Sequence, residues 1–249
     1  MKLGTSSILH PGGRVQGENL LPLAREIASL REREHQVILV SSGAVGMGLR
    51  TRTGANIDTE ELSSKQALAA LGQVELMNMW RGLFELLGID VAQVLLTRQD
   101  LSQGESSENA INTLNTLLNA NVLPVVNEND SVATDEIRFG DNDMLACVVG
   151  SLVKADLIIN LTQAPGLLDF SQDRNKGILI PEVFEINDSL YKLVCSDISP
   201  GGTGGMASKL HAAKEASSYG AFMVIASSSR KNVLSDILQG EGVGTLFCP

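Results

Sequence analysis

The sequence predicts an α/β protein, a three-layer αβα sandwich with a mainly parallel central sheet. Three observations carry that expectation. Short runs at 37–40, 91–97, 122–127, 156–162 and 221–227 are dominated by apolar residues at strand length. Continuous apolar character is what a strand covered on both faces requires, as in parallel sheets. Between these runs lie stretches with helical periodicity, such as Leu20, Leu23, Ala24, Ile27 and Leu30 within 18–34. Finally, no long linker, charge run, repeat or low-complexity segment divides the 249 residues, so one domain, 1–249, is expected.

Taken in order, the helix over 18–34 leads into the strand 37–40, which runs directly into Ser41-Ser42-Gly43-Ala44 at the start of a further helix. Residues 60–87 carry a helical pattern through Leu68, Leu71, Leu76, Met79, Trp80 and Leu83, with Gly72 and Gly82 as points where it could break or kink. A strand at 91–97 precedes an amphipathic helix at 106–119, built on Ile111, Leu114, Leu117 and Leu118. The strand 122–127, an apolar helix at 142–154 and the strand 156–162 follow. A helix near 205–219, the strand 221–227, a short helix near 231–239 and a terminal strand at 244–247 complete the pattern.

Composition excludes several classes of function. The formal net charge is -10, against the basic face of a nucleic-acid binder. An anionic ligand would need lysines or backbone N–H groups concentrated locally against that field. Cys147, Cys195 and Cys248 are odd in number and form no CxxC, which reads as free thiols in a reducing compartment. His10, His35 and His211 have no ligand spacing, so no metal site is expected. No apolar run approaches the roughly 20 residues of a membrane span, and no signal-peptide pattern opens the chain. A cytoplasmic location without membrane or nucleic-acid partners is the expectation.

Five polar segments fall near strand ends or in connecting loops, where open α/β sheets bind ligands. Lys2-Leu3-Gly4-Thr5-Ser6 offers N–H groups and one cation to a phosphate, or is an ordinary turn. Ser41 to Gly48 offers a helix N-terminus to an anion, or is a plain tight turn. Asn127-Glu128-Asn129-Asp130 and Gly140-Asp141-Asn142-Asp143 place acids and amides close together. Helix capping and turn formation explain Asp141 or Asn142. They do not explain a polar cluster capping an apolar strand, which could grip an amino group or Mg²⁺. Lastly, Gly201 to Gly205 with Thr203 precede a helix carrying Lys209, as a phosphate cradle or a flexible linker.

Together these segments carry a resemblance. KLGTS at 2–6, VSSGAV at 40–45, LLTRQD at 95–100, PVVNENDSVAT at 124–134, FGDND at 139–143, GTGGMASK at 202–209 and VGTLF at 243–247 occur in order across nearly the whole chain. With these motifs the chain resembles the amino acid kinase superfamily and, within it, the glutamate 5-kinase family. The resemblance implies ATP-dependent phosphorylation of the L-glutamate side-chain carboxylate, the first step of proline biosynthesis, with ATP and Mg²⁺ as cofactors. It implies an N-terminal part, about 1–150, mainly for the amino acid and a C-terminal part, about 151–249, mainly for ATP. Homo-oligomers and feedback inhibition by proline are also implied.

By residue, the resemblance places Lys2 at the ATP phosphates, and Ser42, Asp130 and Asn142 at glutamate, with Asn127 and Asp141 in the same motifs. Lys2, Lys209 and Asp143 form the implied catalytic set. Gly4, Thr162, Gln163, Thr203, Gly204, Gly205, Met206, Ala207, Ser208 and Lys209 line the ATP side. Three departures stand out. The family has a strand ahead of the lysine matched by Lys2; its usual Thr-Asp reads Thr162-Gln163 here; and many members carry a further RNA-binding-like domain, so a short form is expected. Rival readings are a kinase for another small carboxylate or for UMP, against which the NEND and GDND motifs speak, and a non-catalytic ligand-binding member of the fold.

Overall fold

The computed structural model describes residues 1–51, 53–59, 61–102, 104–133, 142–171, 177–195 and 205–249, with the backbone only at residues 55, 194 and 195. The chain divides into two compact units. One comprises Leu3–Phe139; the other joins Met1–Lys2 to Gly140–Pro249.

The first unit holds β1 (Lys2–Leu3, whose first residue belongs to the other unit), α1 (Thr5–Ile8), α2 (Gly17–Glu32), β2 (Leu39–Ser41) and α3 (Ala44–Leu49). A 3₁₀ turn, Gly54–Asn56, leads to α4 (Leu62–Glu85), β3 (Val91–Leu96), α5 (Arg98–Leu101), α6 (Glu105–Asn119) and β4 (Leu123–Glu128). The strands lie in the order β3-β4-β2-β1. β4 pairs in parallel with both β3 and β2, with Val125 opposite Gln93 and Leu39. All six β4 residues are buried, as the apolar run predicts.

Gly72 and Gly82 do not interrupt α4, which runs unbroken through both. At Gly72 the glycine serves a contact instead. A Cβ at Gly72 would stand 1.7 Å from the Ala44 carbonyl oxygen, and one at Gly48 would stand 2.0 Å from that of Leu68. Backbones of α3 and α4 therefore touch, and only glycine permits that approach. Farther along α4, the wholly buried Trp80 stacks on Phe84 with ring centroids 5.9 Å apart. Its indole Nε1 donates to Ser41 Oγ at 2.9 Å, which fixes the C-terminal end of β2.

The second unit holds α7 (Asn142–Leu152), β5 (Leu157–Thr162), the antiparallel pair β6 (Leu168–Asp169) and β7 (Ile178–Leu179), and β8 (Glu182–Val183). Next come α8 (Asp188–Cys195), α9 (Met206–Ser218), β9 (Phe222–Ser227), α10 (Val233–Leu238) and β10 (Thr245–Phe247). The strand order is β5-β9-β10-β8. β5 and β9 are parallel over six residue pairs, β10 is antiparallel to β9, and β8 is parallel to β10. Cys147, Ile158, Leu210, Ala213, Met223 and Phe247 share the core of this unit. The buried Thr245 hydroxyl accepts from Leu167 N–H at 2.7 Å and donates to the Ile180 carbonyl at 2.6 Å, so one side chain ties β10 to both ends of the β6–β7 segment. The strands β6, β7 and β8 have only two residues each, too few to show a sequence period. Among the described residues, no helix is long and apolar enough to cross a membrane.

The glycines of α4 make opposite predictions. Gly72→Ala is expected to cost about 3 kcal/mol or more, because α3 must move away. Gly82 is exposed with open space around its Cα, so Gly82→Ala is expected to gain about 0.5–1 kcal/mol by helix propensity. Denaturant unfolding of both variants checks this. Equal stabilities would remove the close-contact account.

Candidate active site

Asp143 lies in the first turn of α7, where a carboxylate complements the partial positive charge of the helix N-terminus. It is 1% exposed, and it receives side chains from three other elements. The Lys2 ammonium, from β1, pairs with its Oδ1. The Lys209 ammonium, from the start of α9, pairs with its Oδ2 at 2.8 Å. Asn160 Nδ2, from β5, donates to Oδ1 at 2.8 Å, and Ser208 Oγ, which donates to the Gly205 carbonyl at 2.8 Å, lies 3.4 Å from Oδ2.

Both lysines are 6% exposed. An ammonium group taken out of water this far is tolerated when it is paired. Among the described residues, the ion pairs set one carboxylate against two cations. Burial pushes the Asp143 carboxyl up. The charges of Lys2 and Lys209, and their hydrogen bonds, act the other way and prevail, so the group is held below the ordinary aspartate value.

The structure thus brings Lys2, Asp143, Lys209 and Ser208 together within one unit. Despite standing so near the start, Lys2 occupies a strand and reaches the carboxylate. Asn142 opens α7 beside them and is buried. Gly205 caps α9 and its carbonyl accepts from Ser208 N–H, while Met206 and Ala207, half-buried, form the first turn. Thr162 ends β5 and its carbonyl accepts from Ser228 N–H at 2.7 Å; Gln163, next in the chain, is exposed. Asp141, Thr203 and Gly204 lie outside the described residues.

The remaining expected residues lie in the other unit. Gly4 caps α1. Ser42 follows β2, and its N–H donates to the Leu3 carbonyl at 3.0 Å. Gly43, beside it, holds φ at 109°, a left-handed conformation suited to glycine. Asn127 is buried in β4, where its Nδ2 donates to Gln73 Oε1 of α4 at 2.9 Å and its Oδ1 accepts from Glu128 N–H. Asp130 is half-buried just beyond β4. Two residues of this geometry have no counterpart among the expected ones. Asn160 could have been noticed as a lone amide inside the apolar run LIINLT; Gln73, in mid-helix, gave no signal.

Two cations gathered at an anchored carboxylate suit phosphoryl transfer, in which positioning and charge neutralisation are most of the work. Comparison with known proteins points the same way. Residues 1–227 match the amino acid kinase family, and the chain belongs to it. The chain is 45% identical over its whole length to a glutamate 5-kinase of Herpetosiphon aurantiacus, of which it spans 67%. It is 43% identical to a glutamate 5-kinase of Symbiobacterium thermophilum, spanning 99% of this chain and 94% of that one. Within the family the chain therefore stands with the glutamate 5-kinases, ATP-dependent enzymes that phosphorylate a carboxyl group. A carbamate kinase of Giardia lamblia bound to AMP-PNP shares the fold, with a TM-score of 0.69 and 16% identity over 99% of this chain and 96% of that one.

Because the folded state depresses the Asp143 pKa, its contribution to stability is complete above the unfolded value near pH 4 and fades as pH falls through the folded one. Asp143→Asn strands two buried cations and is expected to cost about 3–5 kcal/mol at pH 7. The gap between parent and variant should narrow in acid. Unfolding of both at pH 7 and pH 3 checks this, and a variant as stable as the parent at pH 7 refutes it.

Proposed function

We propose that this chain transfers the γ-phosphoryl group of ATP to the side-chain carboxylate of L-glutamate, forming γ-glutamyl phosphate for proline biosynthesis. The observation that carries the reading is the cluster of Lys2, Asp143 and Lys209. A glutamate side chain is already ionised at neutral pH, its ordinary pKa being about 4.3, so the attacking oxygen needs no general base. The acceptor, the nucleotide and the moving phosphoryl group are all anionic. Bringing them together is the main barrier, and buried ammonium groups lower it most where water is excluded.

In this reading Asp143 sets the positions of the two lysines, and the lysines neutralise the phosphoryl oxygens as the bond to the leaving group lengthens. The N–H groups at the start of α9, from Gly205 to Ala207, meet the nucleotide phosphates, with Thr203 and Gly204 preceding them. Gly4, Thr162 and Gln163 complete the ATP side. Ser42, Asn127, Asp130, Asp141 and Asn142 recognise glutamate, whose amino group calls for acceptors and whose α-carboxylate calls for donors. Residues up to about 150 then serve mainly the amino acid, and those beyond mainly ATP.

Mg²⁺ neutralises the β- and γ-phosphate oxygens when bound. In this reading the ion arrives bound to ATP. Homo-oligomers, inhibition by proline and a cytoplasmic location belong to the same reading.

Hydroxylamine trapping of acyl phosphate from L-glutamate, N-acetylglutamate and UMP in the presence of Mg²⁺ and ATP tests the reaction. Product from glutamate alone is expected; turnover of another acceptor with none on glutamate refutes it. Lys209→Ala is expected to lower kcat about 10²-fold with the fold intact, the scale of one preorganised electrostatic contact. Asp130→Ala and Asn142→Ala should each raise the glutamate KM roughly tenfold or more while leaving that of ATP nearly unchanged, because each removes a hydrogen bond to a charged group. Steady-state kinetics with each substrate varied in turn decides both.

A further inference from the structure

We propose that Asn160 is a positioning residue for phosphoryl transfer: its amide fixes the rotation of the Asp143 carboxylate, so that one oxygen faces each lysine. The inference rests on the glutamate-kinase reading above and adds to it a residue outside the family motifs.

The two lysines alone would hold Asp143 poorly. Each reaches it on a long arm that can follow the carboxylate as it turns. Asn160 is different. Its side chain is short and springs from the middle of β5, which is locked in parallel register to β9 from Leu157 opposite Phe222 to Thr162 opposite Ser227. The amide is 1% exposed and stands 2.8 Å from Oδ1, the same oxygen that Lys2 holds. A carboxylate only accepts hydrogen bonds, so the NH₂ end must face Asp143.

The other end of the amide shows what the residue is for. Asn160 Oδ1 is buried and accepts no hydrogen bond among the described residues. An unsatisfied buried acceptor is costly, and a leucine of similar shape would avoid it. The neighbours Ile158, Ile159 and Leu161 are buried apolar residues in the same strand. Only the donation to Asp143 sets Asn160 apart from them. That donation also draws negative charge toward the amide, which leaves more of each ammonium charge for a phosphoryl oxygen. Among the described residues, the ion pairs at the amide's partner are made by Lys2 from β1 and Lys209 from α9 with Asp143 itself from α7.

Two variants test this, with the parent assayed alongside on glutamate and ATP. Asn160→Leu is expected to lower kcat about tenfold or more, with the glutamate KM within about twofold of the parent, since the residue touches neither substrate. Asn160→Asp keeps the shape and replaces the donor by a carboxyl directly opposite Asp143. Two carboxylates at hydrogen-bond distance resist ionising together, so the new group's pKa is raised. When protonated it can donate as the amide did; when ionised it cannot. Activity of this variant should therefore stay near the parent's in mild acid and fall with rising pH, a limb absent from the parent profile. A folded Asn160→Leu variant with the parent's kcat overturns the inference, as does an Asn160→Asp variant with the parent's pH profile. Should the leucine variant not fold, the isosteric aspartate variant decides alone. A parent without turnover on glutamate is a separate result, which overturns the underlying functional reading as well.

Discussion

The arrangement of the second unit around its active site depends on one buried carboxylate. Asp143 is the counter-charge that permits Lys2 and Lys209 to lie out of water, and it draws β1, α7 and α9 to one point, with β5 joined through Asn160. A buried ion pair is rarely retained for stability alone, because a well-packed apolar replacement often does as well. In the proposed function the same charges are the tools of the chemistry. They also account for how a chain of formal net charge -10 can handle anionic substrates. The field that matters is set within a few ångströms, where burial strengthens each interaction, while the acidic surface is screened by salt.

The first unit shows an equally local economy in which shape takes the place of charge. Gly48 and Gly72 let α3 and α4 meet backbone to backbone. Trp80, from the same α4, grips Ser41 and so sets the exit of β2, one residue before Ser42. A long helix with little aromatic company thereby positions the loop to which glutamate recognition is assigned. Asn127 is held in the same way from α4, by Gln73.

Much of this was legible in the sequence. The apolar runs that became β2, β3, β4, β5 and β9 declare themselves because strands buried on both faces need apolar side chains throughout. The four-residue helices α1 and α5, and the two-residue strands, are too short for a period to register. Gly72 misled for a physical reason: helix propensity treats glycine as a weak point, but the residue that a close helix contact demands is also glycine. At the site, the motifs drew attention to Lys2, Asp143 and Lys209 through resemblance. Spacing alone could not join residues so distant along the chain. Asn160 stayed hidden because one amide in an apolar strand looks like noise until its partner is known, and Asn127 gave no hint of Gln73.

The assignment of Lys2 to the unit built from Gly140–Pro249 has a consequence for how the molecule is made. On the ribosome this lysine emerges with the first strand, long before the helix bearing Asp143 or the one bearing Lys209. Throughout that interval its ammonium must stay hydrated, for no buried counter-charge yet exists. The cluster closes only by joining Lys2 to Asp143 and Lys209, and contacts so distant in sequence form slowly and late. If those lysines serve as proposed, a nascent or partly folded chain is not a weak kinase but a silent one, and phosphate-handling power arrives with the completed fold.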